Sequence, residues 1–279
     1  MLDGSLTHHR MERNVKIGRD NHRSSSISTA NAEMIVVRGR DLCQDLIGSL
    51  SLTEHFWLLV TGELPNRAQT RMLDACLVAI AEHGLVPSVQ AARMTYAAGP
   101  EALQGAVAAG ILGCGSVILG SAENAARFLA AVRERANGSD LAAAAGALVG
   151  EYRADRKPIP GYGHPLHRAG DPRAARLLAL AEEVGRSGPH VAAARAAERA
   201  IVELTAKSLV LNVSGAIAAV LLDAGFPLAG MKGVPILART ASLVAHLVEE
   251  HARGIGFALS EAAEASITYD GAKPAGFRA

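Results

Sequence analysis

G-Y-G-H-P-L-H-R-A-G-D-P-R, from Gly161 to Arg173, is the stretch that decides how the rest of the chain is read. Two glycines precede His164. Glycine has no Cβ, so a backbone built from it can come close to a ligand. Pro158, Pro160 and Pro165 disfavour a continuous helix through the segment. His164 is therefore expected on an irregular loop rather than on a helix face. Asp171 and Pro172 read as an N-cap followed by proline at the first helical position. A polar loop carrying His164, Arg168 and Arg173 and feeding a helix N-terminus suits an anionic ligand whose oxygen must be hydrogen-bonded.

Outward from that loop the chain reads as helix almost throughout. Of its 279 residues 49% are hydrophobic and only 4% aromatic, with much alanine and leucine, which favours close-packed helices over a β-rich fold. Helices are expected over 52–61, 67–83, 101–112, 122–137, 140–154, 172–184, 191–211, 215–223 and 234–250. Leu177, Leu178, Ala181 and Val184 show the one, four, seven spacing of an amphipathic helix. Only Glu33 to Val37 reads as strand. The run from Ser208 to Ala238 is the most apolar, but Asn212, Asp223 and Lys232 interrupt it too often for a membrane span. A helix apolar all round is a buried one, and a subunit interface is a natural place for it. The formal net charge of +1 leaves no electrostatic footprint for nucleic acid. Cys43, Cys76 and Cys114 form neither a metal-ligand pattern nor a paired framework, which suits a reduced, cytoplasmic compartment. His8, His9 and His22 lie in a polar leader, 1–30, without the spacing of a metal site.

The Gly161–Arg173 segment closely resembles the second-histidine motif of the citrate synthase superfamily, which takes in citrate synthases, methylcitrate synthases, citryl-CoA lyases and the C-terminal module of ATP-citrate lyase. Other stretches share the resemblance: E-M-I-V-V-R-G-R-D-L from Glu33, the run from Leu50 that ends T-G-E-L-P at Pro65, A-A-G-I-L-G-C-G-S from Ala108 and A-R-T-A-S-L-V-A-H from Ala238. The short length points to the compact lyase-like branch. The resemblance implies an all-α citrate synthase-like fold, with a large helical domain made of 31–114 and 215–279 and a smaller mobile domain of 115–214 carrying the His/Arg loop. It implies a homodimer, or an oligomer built on one.

The resemblance also implies chemistry: making or breaking a carbon–carbon bond beside a CoA thioester, as in the cleavage of citryl-CoA to acetyl-CoA and oxaloacetate. Such a site must hydrogen-bond the keto acid's oxygen, move a proton at carbon and hold carboxylates with positive charge. His164 matches the residue on the oxygen. Arg173 and Arg239 match carboxylate-binding arginines, a role suited to a planar guanidinium. Arg168 matches a basic residue that meets the CoA phosphates. Coenzyme A enters as the acyl-CoA substrate, beside a di- or tricarboxylate, and no metal is implied.

Two departures stand out. Where the family carries its first histidine this chain reads Ile118-Leu119-Gly120-Ser121-Ala122, with an aliphatic residue instead. Where the family carries its catalytic aspartate, as N-V-D, the chain reads Asn212-Val213-Ser214. A serine hydroxyl is no useful general base unless another group activates it. Glu123, His167, His246, Glu249 and Glu250 are the nearby groups that could substitute. Three functions stay open at this point: a citryl-CoA lyase-like enzyme, a protein of this fold that binds CoA or a polycarboxylate without the usual turnover, and a lyase for another acyl-CoA.

Overall fold

The structure is a computed structural model that describes residues 24–163, 170–205 and 209–277. The chain divides into two compact units at the Ser49–Leu50 junction. The first carries an antiparallel three-stranded meander, β1 (Ser28–Ala30), β2 (Ile35–Val37) and β3 (Arg40–Asp41), paired in the order β1-β2-β3. The Asn31 side chain accepts the N–H groups of Glu33 and Met34 and so shapes the first turn. Arg38 and Gly39, both at positive φ, form the two-residue turn between β2 and β3. The sequence pattern marked only the middle strand. The outer two are short and solvent-exposed or half-buried, so they carry no apolar alternation to read.

The second unit is helical. Its helices are α1 (Leu52–Thr61), α2 (Arg67–Ala81), α3 (Pro87–Ala98), α4 (Leu103–Leu119), α5 (Ser121–Ala136), α6 (Leu141–Ala154), α7 (Pro172–Glu183), α8 (Pro189–Thr205), α9 (Val213–Asp223), α10 (Gly233–Ala252) and α11 (Gly256–Ser266). Local chemistry sets several starts. Ser51 with Glu54, and Asn66 with Gln69, form reciprocal capping boxes for α1 and α2. Asp171 caps α7 ahead of Pro172, as its sequence implies. Two helices were not anticipated, α3 and α11. Neither has a side-chain cap at its start, and α3 is marked locally only by Pro87 at its first position. The helix expected to run to Leu211 does not include that residue: α8 is described as far as Thr205, and Leu211 makes a bridge to Tyr162.

Much of the apolar run is used inside the chain's own core. Ile217 to Leu221 of α9 are fully buried within this chain, packed among α5, α7 and α8. That helix is the axis of the main core, which also takes in Phe128, Leu129, Leu177 and Ile201. A smaller cluster of Val89, Ala92, Ala106, Leu243 and Leu247 holds α3, α4 and α10 together. Gly110 lets α4 lie on α10: a Cβ there would come within 2.7 Å of Leu243. Beyond it Gly115, at φ 53 and ψ −176, breaks the helical conformation inside α4.

Candidate active site

Two backbone hydrogen bonds and two made by the Asn212 side chain build the site floor. Gly163 N–H donates to the Val210 carbonyl at 2.8 Å, and Asn212 N–H donates to the Gly161 carbonyl at 2.9 Å. The Asn212 amide reaches back to the Gly163 carbonyl at 2.9 Å and also caps α9 by accepting Gly215 N–H. Residues 161–163 thus lie antiparallel to 210–212. Their closeness explains the glycines. A Cβ on Gly215 would sit 2.6 Å from the Gly161 oxygen, and one on Gly161 would sit 2.9 Å from the Gly215 Cα. Gly161 and Gly163 also hold φ of +88° and +82°, which other residues rarely adopt.

Asp171 is the electrostatic keystone. Its side chain is fully buried and accepts four hydrogen bonds: from Arg173 N–H at 3.1 Å, Arg173 Nε at 3.0 Å, Arg173 Nη2 at 2.9 Å and Val213 N–H at 3.0 Å. One carboxylate therefore caps α7, clamps a guanidinium and fixes the first turn of α9. Burial pushes its carboxyl up, but Arg173 and the two N–H groups outweigh that and hold it below the usual carboxylate range.

These elements close round a cavity of about 370 Å³. Arg173, Arg239, Asn212, Ser214 and Ser121 contribute its polar wall, with His83 at the end of α2; Leu119, Ala122, Val213, Ile217 and Pro235 contribute the apolar one. Two of the expected carboxylate ligands, Arg173 and Arg239, and the expected catalytic-position residue Ser214 are thus brought together from α7, α10 and α9. No carboxylate is among the described lining residues. Arg173 keeps only Nη1 clear of Asp171. Arg239 is less provided for: its Nη1 is buried and has no hydrogen-bond partner among the described residues. Burial draws its pKa down, and the charge of Arg173 adds to that, against Cys114 and Glu82. A second hollow, of about 590 Å³, lies between α2 and α7 and shares Arg173, but its rim arginines Arg71 and Arg176 are both paired with Glu183.

Ser214 sits 2.9 Å from the hydroxyl of Ser121, which in turn donates to the Ile118 carbonyl at 2.8 Å. Neither partner is a base, so Ser214 has no activating group among the described residues. The substitutes weighed from sequence are engaged elsewhere. Glu123 pairs with Arg127. Both ring nitrogens of His246 are occupied: Nδ1 faces the buried Arg93 guanidinium at 3.0 Å, and Nε2 lies 2.9 Å from Glu82. Glu249 and Glu250 both bind Arg93, and Glu250 also accepts the N–H groups of Ile255 and Gly256 at the head of α11. Arginine can only donate, so Nδ1 of His246 is the acceptor and Nε2 carries the proton to Glu82. This network is structural. His164, His167 and Arg168 lie outside the described residues. Sequence reasoning missed Ser121 and the clamp made by Asp171; Asp171 carried only a capping signal, and Ser121 none.

Comparison with known proteins places the fold. Residues 28–256 match the family described as citrate synthase, C-terminal domain. Citryl-CoA lyase from Hydrogenobacter thermophilus superposes with a TM-score of 0.81 at 35% identity, over 91% of this chain and 97% of that one. ATP citrate lyase from Methanothrix soehngenii, solved in complex with citrate and coenzyme A, shares the fold at a TM-score of 0.72 and 22% identity, over 85% of this chain and 40% of that one. Among curated sequences, citrate/2-methylcitrate synthase of Bacillus subtilis is 28% identical over 73% of this chain and 54% of its own length. The chain thus spans about half the length of the curated relatives it matches.

Proposed function

The chain belongs to the citrate synthase family, and we propose that its cleft serves a citryl-CoA lyase-like reaction, cleaving or forming the carbon–carbon bond of a 3-hydroxy-carboxyacyl-CoA to give acetyl-CoA and oxaloacetate. The observation that carries this reading is the likeness to citryl-CoA lyase along nearly the whole of both chains. In the cleavage direction the 3-hydroxyl gives up its proton and its oxygen becomes the keto oxygen. The C2–C3 bond breaks with its electron pair passing to C2, where it is delocalised onto the thioester oxygen as an enolate, and C2 then takes a proton to balance the one lost from the hydroxyl. Arg239 receives one carboxylate through its unpartnered Nη1. Arg173, held edge-on by Asp171, offers Nη1 to another. In this proposal His164 hydrogen-bonds the reacting oxygen and Arg168 meets the CoA phosphates. A homodimer, with residues 115–214 as a smaller mobile domain, belongs to the same reading; the break in α4 at Gly115 falls at that boundary.

A second reading is a binder of CoA or polycarboxylate without that turnover, or a lyase for another acyl-CoA. The observation favouring it is Ser214, which stands at the position of the family aspartate with only a hydroxyl beside it. Mass-spectrometric product analysis separates the two. The protein is incubated with citryl-CoA, and separately with acetyl-CoA and oxaloacetate, beside an H164A control. Turnover that the control lacks supports the lyase. Absence of turnover with CoA binding intact replaces it by the second reading.

A further inference from the structure

The hydroxyl pair in the cleft has a fixed direction. A serine hydroxyl carries one proton and two lone pairs. Ser121 is 2.8 Å from the Ile118 carbonyl, which can only accept, so the Ser121 proton is committed there. The 2.9 Å contact between Ser121 and Ser214 is then completed only by the Ser214 proton. Ser214 therefore turns lone pairs alone toward the cavity. Among the described residues the hydroxyl of Ser121 is the hydrogen-bond partner of Ser214, and neither Arg173, Arg239 nor Asn212 of the same cavity donates to it. A carbonyl or carboxylate oxygen placed there would meet lone pair with lone pair. A ligand hydroxyl placed there would complete the chain.

We propose that Ser214, oriented by Ser121, is a specificity-determining acceptor that selects a hydroxy acid over the corresponding keto or deoxy acid. For a C–C lyase this acts on direction: the alcohol of the hydroxyacyl substrate makes the bond and the keto product cannot, so the site holds what is to be cleaved and releases what has been made. An aspartate at this position would bring a negative charge beside the carboxylates of the same ligand, whereas the serine does not. The inference rests on the proposed reading of the cavity as the carboxylate site. Its test reads binding rather than turnover, so the failure of lyase activity and the failure of the hydroxyl rule separate.

The test is titration calorimetry with two matched pairs: citrate against tricarballylate, which lacks only the hydroxyl, and malate against oxaloacetate. The wild type is expected to bind the hydroxy member of each pair roughly three- to tenfold more tightly, the value of one neutral hydrogen bond. S214A is expected to bring both ratios near one. S121A frees the Ser214 proton, so it is expected to erase the malate–oxaloacetate preference while keeping the preference for citrate. Melting curves of both variants confirm that they fold. Ratios near one in the wild type overturn the proposal. So does a preference that survives in S214A, which would put the hydroxyl on another group. Failure of the wild type to bind any of the four acids overturns it as well.

Discussion

Replacing Asp171 by asparagine keeps the shape of the side chain and removes its charge. The amide retains one acceptor oxygen. Whichever way it turns, its NH2 faces donors: Val213 N–H and Arg173 Nη2 on one side, or Arg173 N–H and Nε on the other. Two hydrogen bonds are lost, at least one of them to a charged guanidinium, and a buried backbone N–H is left unmatched. Hydrogen bonds to charged groups are worth about 1.5–3 kcal/mol and an orphaned buried donor costs about 1–3 kcal/mol. The total is about 3–5 kcal/mol, which is also the usual cost of breaking a buried ion pair. For a helical unit of this size each kcal/mol moves Tm by about 2–4 °C, so D171N is expected to melt about 6–20 °C below the wild type at pH 7. Circular dichroism at neutral pH reads this directly. The pH dependence supplies a second arm. Because the folded-state pKa of Asp171 is depressed, its stabilisation is fully present above the unfolded value near ~3.9 and is lost as pH falls through the folded value. The gap between wild type and D171N must therefore close below about pH 4. A neutral-pH loss under about 2 °C, or a gap that persists in acid, would refute the account of Asp171 as the clamp.

Further outcomes follow from other parts of the molecule. R239M removes an unpartnered buried donor, so it is expected to raise Tm by a few degrees while weakening citrate binding about 10–100-fold, measured by melting and by calorimetry. G215A forces a methyl against the Gly161 backbone and is expected to destabilise by about 1–3 kcal/mol in urea unfolding; G146A, where nothing lies within 4 Å of the added carbon, is its helical control. E250A strips Arg93 of a buried partner and α11 of its N-terminal acceptor. It should cost about 3–5 kcal/mol and speed amide exchange in Gly256–Ser266, read by hydrogen-exchange mass spectrometry.

The legible parts of the fold were those written in neighbouring residues. Asp171 before Pro172, and the one, four, seven spacing after it, gave α7 nearly to the residue. The same local reading overlooked α3 and α11 because Val86 and Ile255 supply no capping side chain; tertiary packing and Glu250 do that work instead. It also broke α4 too early. The expected helix ended just before Gly113, yet Gly113 is where α4 meets Ala91, as Gly110 is where it meets Leu243. The cleft arginines were legible through the family resemblance, on residues in matching motifs. Ser121 was not, because its meaning lies in a contact across 93 positions of sequence. Asp171 was half legible: its cap is local, whereas its bond to Val213 spans 42 positions.

The contact of Gly161 with Gly215 sets the terms on which this cleft can be redesigned. Two segments meet there through bare main chain, so neither offers a side chain to tune and neither tolerates one. Altered substrate choice has to come from the apolar lining, where Leu119, Ala122 and Pro235 border the cavity and can be enlarged or trimmed singly. A library that reached behind the lining to Gly161 and Gly215 would spend that part of its diversity on a seam that admits almost none. One confined to the apolar lining keeps the weld intact and varies only the mould.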